Sequence, residues 1–422
     1  MKPRILYTLA LWLLWPYVFF HLFWRARKQQ EYLHHIGERF GFYDIKCKKP
    51  VIWLHTVSVG ETRAAASLIR SLQKRYPDHQ ILLTHTTPTG RAASEQLYGD
   101  EVIRVYLPYD YPFAVRRFLE HFRPKVGVLL ETEIWFNLVH ACHATNMPLL
   151  LLNARLSERS ARSYARFPRL VCAALNDLHL IAAQTGEDAA RFSALGVPHV
   201  PVMGNLKFDI RPPTAQIELG KALRTAFGEQ RPVFLAASTR AGEEALLLDA
   251  LRHVDVRGLL IVIVPRHPQR FDEVASLIKQ HGLRMQRRSA HEPIAVDTQV
   301  VLGDSMGEMF AYYAACDIAF IGGSLLPLGG QNLIEACAVG KPVLVGPHTF
   351  NFAQATALAV ASGAAIQVEL ADELVQQLNS LLHDAPRLRQ MGECGLRFVR
   401  ENQGATERAI EHVALAMDRT VI

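Results

Sequence analysis

Residues 51–65 read VIWLHTVSVGETRAA, and the order of properties along this run sets the fold. Val51 to Val57 is almost wholly apolar and rich in β-branched and aromatic side chains, as in a parallel strand covered on both faces. Ser58 and Gly60 form a small-residue turn. The following ETRAAASLIRSLQKRY places Ala65, Leu68, Ile69 and Leu72 on one side of a helix. Strand, small turn and helix open an α/β unit, and such helix starts commonly seat phosphates. Yet Glu61 stands at this helix start, where a phosphate site excludes negative charge.

The pattern repeats outward. QILLTHT, EVIRVYLP, KVGVLLE, PLLLLNAR and DLHLIAA are strand-like, with helical stretches between them. VMGNLKFDIRPP interrupts the alternation with Gly204, Asn205 and Pro212-Pro213 and marks a domain boundary near residues 204–230. PVFLAAS, GLLIVIVPR, VVLGDS, CDIAFIGG and PVLVG then begin a second series. The expectation is an α/β protein of two domains, residues 29–205 and 231–422, with a linker at 206–230. The last helix is a candidate to cross back to the first domain. Such a pair places a crevice where the carboxyl ends of parallel strands open.

Composition agrees with this and adds a membrane element. The chain has 422 residues, half of them hydrophobic, which excludes a largely disordered protein and favours two cores. Its net charge of +6 suits nucleic acid, an anionic membrane or an anionic substrate without separating them. Ile5 to Trp24, ILYTLALWLLWPYVFFHLFW, contains no Asp, Glu, Lys or Arg. As one continuous helix it would rise about 30 Å, the hydrocarbon thickness of a bilayer. With no small-residue cleavage site following, residues 1–28 read as a retained anchor, with residues 5–24 either spanning the bilayer or lying in its interface. The charges Arg25, Arg27 and Lys28 after it would hold the rest of the chain in the cytoplasm, although Lys2 and Arg4 count the other way. The cysteines Cys47, Cys142, Cys172, Cys316, Cys337 and Cys394 form no CxxC pair and read as reduced thiols.

Chemistry-bearing residues gather at strand ends. In the second domain GDSMGE places Gly303 to Glu308 after a strand, and Gly329-Gly330 precede QNLIEACAVG, read as a helix. Both offer helix amino termini to a phosphate. Asn332 and Glu335 share one face of that helix, suited to ribose hydroxyls or to simple capping. Arg266 and His267 follow the apolar IVIVP, and the fork of Arg266 suits two phosphate oxygens. Lys207 lies in the linker. In the first domain Glu61 and the acids of LLETEIW, Glu131 and Glu133, end or follow strands. His55 reads as a core histidine, and the hydroxyls of THTTPTG (84–90) as turn, capping or ligand groups. GxGxxG after the first strand, GxxxxGK[ST] and GxSxG are all absent, which excludes the usual dinucleotide, P-loop and nucleophile-elbow enzymes.

In order and spacing, SVGETRAA, TTPTG, LPYD, ETEIW, NARLSERS, GNLKFD, PRHPQR, GDSMGE, GGSLLPLGGQNLIEA and GPHTFNF resemble the 3-deoxy-D-manno-octulosonic acid (Kdo) transferases, over nearly the whole chain. The resemblance implies a GT-B type glycosyltransferase of two facing Rossmann-like domains with an N-terminal membrane anchor helix. It implies transfer of Kdo from CMP-Kdo to the tetra-acylated, phosphorylated disaccharide precursor of lipid A (lipid IVA). Inversion at the anomeric carbon, and no metal or other cofactor, belong to the same implication. The implied partners are CMP-Kdo, that lipid and the anionic cytoplasmic face of the inner membrane, with no nucleic acid. Carried onto this sequence, Glu61 is the implied base and Glu131 the second catalytic acid, with Glu133 less certain. The donor contacts fall on Lys207, Arg266, His267, Gly303, Met306, Gly307, Glu308, Asn332 and Glu335. Two departures stand out: Gln331 replaces the family's usual histidine, and EACA with Cys337 replaces EPAA. The alternatives are another membrane-associated nucleotide-sugar transferase, or a sugar-nucleotide binding protein without catalysis.

Overall fold

The computed structural model describes residues 3–27 and 29–418. Lys2 and Lys28, two of the charges beside the apolar run, lie outside them. The chain divides into two compact units, Met1–Asp209 with Gln403–Ile422, and Ile210–Asn402. The sequence-based linker therefore does not exist as a separate segment. Asn205 to Phe208 belongs to the first unit, while the helix Thr214–Phe227 belongs to the second. Gly220 fastens that helix there, because a Cβ on it would lie 2.5 Å from the Cβ of Ala314.

The first unit is built on a six-stranded sheet, with β1 Val51–His55, β2 Gln80–His85, β3 Ile103–Tyr106, β4 Val126–Leu130, β5 Leu149–Ala154 and β6 Leu180–Ala183. Every pairing is parallel and the order is β3-β2-β1-β4-β5-β6. Alternation divides the strand side chains between two cores. Val51, Trp53, Leu129 and Leu151 face helices Pro112–Phe122, Phe136–Ala144 and Pro168–Asp177, while Ile52, Leu54, Val128 and Leu150 face the other way. That second face is closed by Leu68, Ile69 and Leu72, and by Ala405, Ala409, Val413 and Ala416 of the terminal helix Ala405–Asp418. Each fully buried Leu or Ile here contributes about 1.5–3 kcal/mol. Asp209 pins the returning chain, its carboxylate accepting from the amides of Gly404, at 2.7 Å, and Thr406.

The amino terminus departs from the expected single helix. It forms two helices, Pro3–Leu13 and Trp15–Ala26, bent by 53° at their junction, and among the described residues no single helix is long and apolar enough to cross a membrane. Pro16, near the start of the second helix, lacks the N–H that a continuous helix would use and crowds the preceding turn. One side of the pair is docked on the first unit. Tyr7 donates to Asp110 at 2.9 Å, Thr8 donates to Asn137 at 3.0 Å, and Trp15 packs edge-on against Tyr111. The other side leaves Leu6, Leu9, Leu13, Leu14, Tyr17, Phe20 and Phe23 exposed.

The second unit carries a seven-stranded parallel sheet, ordered β13-β12-β11-β7-β8-β10-β9. Its strands are β7 Val233–Thr239, β8 Leu260–Pro265, β9 Met285–Arg287, β10 Val300–Leu302, β11 Ile318–Ile321, β12 Val343–Val345 and β13 Ala365–Gln367. Phe234, Ala236, Ile261, Ile263, Phe320 and Leu344 bury one face under helices Glu243–Leu251, Phe271–Gln280 and Ala371–Leu382.

Candidate active site

In the first unit the chain passes from β1 to β2 and β3 on one side, then returns to place β4 on the other side of β1. The carboxyl ends of β1 and β4 thus flank the point where strand order reverses, the usual place for ligands in open α/β sheets. Glu61 follows β1 there, and Glu131 and Glu133 follow β4.

The local chain explains each position. Ser58 caps the short helix Val59–Ala64, its hydroxyl accepting from the Glu61 amide at 3.2 Å. The Glu61 carboxylate folds back, accepting from the Val57 amide at 2.8 Å and the Ser58 hydroxyl at 2.7 Å. The sequence-level question therefore has a physical answer: the acid completes the helix start that would otherwise invite a phosphate. Strand β4 ends at Leu130, so Glu131 does not continue it. Glu131 adopts φ of 62°, a left-handed conformation that costs a non-glycine residue on the order of 1 kcal/mol. Lys207 reaches Glu131 Oε1 at 3.1 Å. It is delivered by Asn153, itself left-handed at the end of β5, whose side chain accepts from the Leu206 amide at 3.0 Å. Glu133 accepts from the Trp135 indole at 2.8 Å.

Three carboxylates and one ammonium in this small region cannot all be comfortable when ionised. Burial, and then the charge of Glu131, holds Glu61 above the ordinary carboxylate range, although the Val57 amide, Ser58 and Lys207 oppose this. Burial outweighs the capping contacts and the cation. Glu133 is pushed up to about 7, by burial first and then by Glu61. Sequence reading treated Glu133 as the least certain of the three acids, because nothing in ETEIW shows how deeply its second acid sits.

The Glu133 shift has a stability consequence. A carboxyl with a raised folded-state pKa favours folding below its ordinary value near 4.5 and loses that contribution as pH rises through about 7. Glu133→Gln should therefore match the parent in stability near pH 4.5 and exceed it at pH 8, by about 1–3 kcal/mol after allowance for solvent screening. Denaturant titrations at both pH values measure the difference, and equal gains at both would contradict the assignment.

The other first-domain candidates are structural. His55 is fully buried, bonded through Nδ1 to the Thr84 hydroxyl at 2.9 Å, and burial pushes its pKa down to about 3. Thr87 caps the helix Pro88–Tyr98 and donates to the Val57 carbonyl at 2.8 Å, steadying the loop that carries Glu61.

In the second unit β8 and β10 are neighbours, so Arg266 and His267 after β8 lie beside Gly303–Glu308 after β10. His267 is exposed, and its pKa is lowered by partial burial and by three surrounding arginines, Arg240, Arg266 and Arg270. Arg270 grips the buried Glu244 through two bonds, of 2.7 and 3.1 Å. Gly303 is sterically required, since a Cβ would meet Val264 at 2.7 Å and Tyr312 at 2.9 Å. Gly307 has φ of 80°, and Met306 is exposed. The Glu308 carboxylate is held by Ser305 at 2.6 Å and paired with Arg288 at 3.4 Å.

Asn332 and Glu335 follow β11, on the far side of β7. Asn332 donates to Glu335 at 3.2 Å and accepts from the Ile334 amide at 3.1 Å. The helix expected to open at Gln331 is only Ile334–Ala338, because the amides of Gly330 and Gln331 pair with the carbonyls of Gly323 and Gly322. Neighbouring tyrosines link the two groups: Tyr312 bonds Ser305 at 2.7 Å, and the buried Tyr313 feels the charge of Glu335.

Sequence reading missed Glu243. Its buried carboxylate accepts from the amides of Gly323 at 2.6 Å, Arg240 at 2.9 Å and Leu325 at 3.1 Å. It thereby ties the ends of β7 and β11, where strand order reverses in this unit. The available signal was TRAGEE after a strand, a glycine and paired acids at a helix start.

Comparison with known proteins gives this geometry a family. The family model described as 3-deoxy-D-manno-octulosonic-acid transferase matches residues 34–210, and that for glycosyl transferases group 1 matches residues 246–397. A 3-deoxy-D-manno-octulosonic acid transferase of Bordetella pertussis is 42% identical, over 97% of this chain and 98% of its own. One from Haemophilus influenzae is 37% identical, over 99% of this chain and 100% of its own. A solved glycosyltransferase from Rickettsia africae has a TM-score of 0.58 at 15% identity, covering 88% of this chain and 99% of its own. A UDP-GlcNAc 2-epimerase from Neisseria meningitidis scores 0.59 at 16% identity, covering 86% and 99%. A transferase and an epimerase share this architecture, so those two likenesses speak for the fold alone. The full-length relatives speak for the activity: the chain belongs to the 3-deoxy-D-manno-octulosonic acid transferase family and is a glycosyltransferase.

Proposed function

We propose that the protein transfers Kdo from CMP-Kdo to the tetra-acylated, phosphorylated disaccharide lipid IVA, inverting the anomeric carbon, with Glu61 as general base. The observation that carries the mechanism is the half-buried Glu61 at the strand-order reversal of the first unit, its pKa raised beside Glu131 and Lys207. An attacking sugar hydroxyl has to lose its proton as the new bond forms, and a desolvated carboxylate accepts it better than an exposed one. Lys207 fixes Glu131 by their ion pair and Trp135 holds Glu133, while Glu61 is held only by the helix start it caps.

Donor recognition is assigned to the second unit. The leaving group is the phosphate of CMP, and its growing charge calls for donors in place before reaction. Arg266 and the neighbouring Arg240 supply positive charge, His267 offers a ring nitrogen for hydrogen bonding, and Gly303–Glu308 supplies backbone close to them. Asn332 and Glu335 are assigned to the nucleoside hydroxyls, which would exchange their mutual bond for bonds to the ligand. Among the described residues no three His, Cys, Asp or Glu side chains form a metal-holding group.

The reading includes the cytoplasmic face of the inner membrane. The bent helix pair, docked through Tyr7 and Thr8 with its apolar side outward, supports a position in the interface rather than across the bilayer. Leu13→Asp with Phe20→Asp should lower co-sedimentation with anionic vesicles at least about tenfold, since each buried apolar side chain is worth roughly 1.5–3 kcal/mol. Unchanged co-sedimentation would remove the helix pair from membrane attachment. The activity itself is tested by incubating CMP-Kdo, lipid IVA and purified protein in detergent and weighing the product by mass spectrometry. A mass increase of one or more Kdo units is the expected result, and unaltered acceptor would overturn the proposal.

A further inference from the structure

The first unit holds a cavity of about 230 Å³ that the reaction described above does not use. It opens beside the helix Trp15–Ala26 and the carboxyl ends of β2 and β3. Its polar lining comes from His21, Arg25, Tyr32, Arg39, Thr86, Tyr109 and Trp135. Among the described residues no aspartate or glutamate lines it.

The charges around the cavity are unbalanced. Arg39 is 3% exposed. Both of its terminal nitrogens donate to one acceptor, the Thr86 carbonyl at 3.1 Å, and its buried Nε has no partner among the described residues. The guanidinium lies over the ring of Tyr106 at 4.1 Å. The adjacent carboxylate, Glu38, is already taken by Arg91 at 2.7 Å and by the Tyr106 amide at 2.7 Å. Arg25, one helical turn beyond His21, stands over Tyr32 at 5.5 Å, and neither Arg25 nor Arg39 forms an ion pair among the described residues. A buried guanidinium without a counter-charge is costly, and a pocket with room for an anion relieves that cost when it is filled.

Position narrows the anion. On one side the cavity adjoins the apolar helix pair. On another, Trp135 hydrogen-bonds Glu133 at 2.8 Å. Thr86 precedes Thr87, which bonds Val57, the residue whose amide holds Glu61. An occupant would thus lie between an apolar surface and the acid cluster, which calls for an amphiphile carrying its anion near its reacting hydroxyl. We propose that this cavity is a phosphate subsite for the lipid acceptor, with Arg25 and Arg39 as its donors. The assignment rests on the acceptor reading above and adds the residues that recognise the acceptor's charge.

The test measures binding of lipid IVA and of its enzymatically dephosphorylated form to the full-length protein in detergent, with CMP-Kdo transfer assayed in parallel. A charge-assisted contact is worth about 1.5–3 kcal/mol, so loss of phosphate should weaken binding to the parent protein at least about tenfold. Arg25→Gln should bring the two affinities within about threefold of each other, and Arg39→Met should do the same if it folds. Arg25 lies on the exposed helix and gives a result even if Arg39→Met does not fold. Equal binding of both lipids by the parent protein, or full discrimination by Arg25→Gln, would overturn the subsite. Displacement of lipid IVA by phosphatidylglycerol micelles at equal lipid phosphate would also overturn it, by giving the cavity to bilayer lipid. Retained discrimination with no transfer to either lipid would leave the subsite standing and remove the acceptor reading.

Discussion

Glu61→Gln should lower kcat for Kdo transfer by about 10²- to 10⁴-fold, the range that a positioned general base supplies, with little change in donor affinity. Gln preserves the volume, its carbonyl oxygen can accept from the Val57 amide and its NH2 can donate to the Ser58 hydroxyl oxygen, so the helix start at Ser58 should survive. The pH dependence separates a base from a prop. Burial and Glu131 raise the Glu61 pKa, so the ionised form is lost as pH falls through a value above the ordinary carboxylate range. Parent activity should rise with pH through that value, and the residual activity of Glu61→Gln should lack this limb. A variant retaining a tenth or more of the parent kcat, with the acid limb intact, would move the role to another group. Glu133, with its pKa near 7, would be the first to examine.

Glu243→Leu should be the most destabilising single change in the second unit. The substitution roughly preserves volume but leaves the amides of Arg240, Gly323 and Leu325 buried without their acceptor. Each lost bond of this kind costs about 1–3 kcal/mol, so a total of roughly 3–5 kcal/mol is expected after partial relaxation. The loss should appear in the transition belonging to residues 210–402, followed by hydrogen exchange, because two units need not unfold as one. CMP binding should weaken as well, since the same amides hold the ends of β7 and β11. A shift below about 1 kcal/mol would mean that the loop finds other partners.

Much of this was legible in the sequence because parallel strands covered on both faces are continuous apolar runs. VIWLH, KVGVLL and LLLLNA announced themselves, and the polar residues just beyond them were the right ones to inspect. Glu61, Glu131 and Lys207 come together as electrostatic neighbours, although Lys207 is far from Glu131 along the chain. What stayed hidden depended on long-range partners or on backbone shape. Glu243 is important for amides more than seventy positions away. The left-handed turn at Glu131 leaves no mark on a residue type that rarely adopts it. The amino-terminal bend was half visible: Pro16 was present, but hydropathy gave the length of the apolar run without its direction. The helix at Gln331 was misjudged because glycines before it suggested a start, whereas Gly330 and Gln331 spend their amides on Gly322 and Gly323.

The return of Gln403–Ile422 to the first unit sets an order for synthesis. When Asp209 leaves the ribosome, Ile52, Leu54, Val128 and Leu150 still lack the alanines and valine of Ala405–Asp418 that will cover them. All of Ile210–Asn402 must be translated first, on the order of ten to forty seconds at typical elongation rates. For that interval the nascent first unit exposes an apolar sheet face and is open to aggregation, proteolysis or chaperone capture. A chain interrupted shortly before residue 403 would keep its reactive side chains and lose the lid on its core.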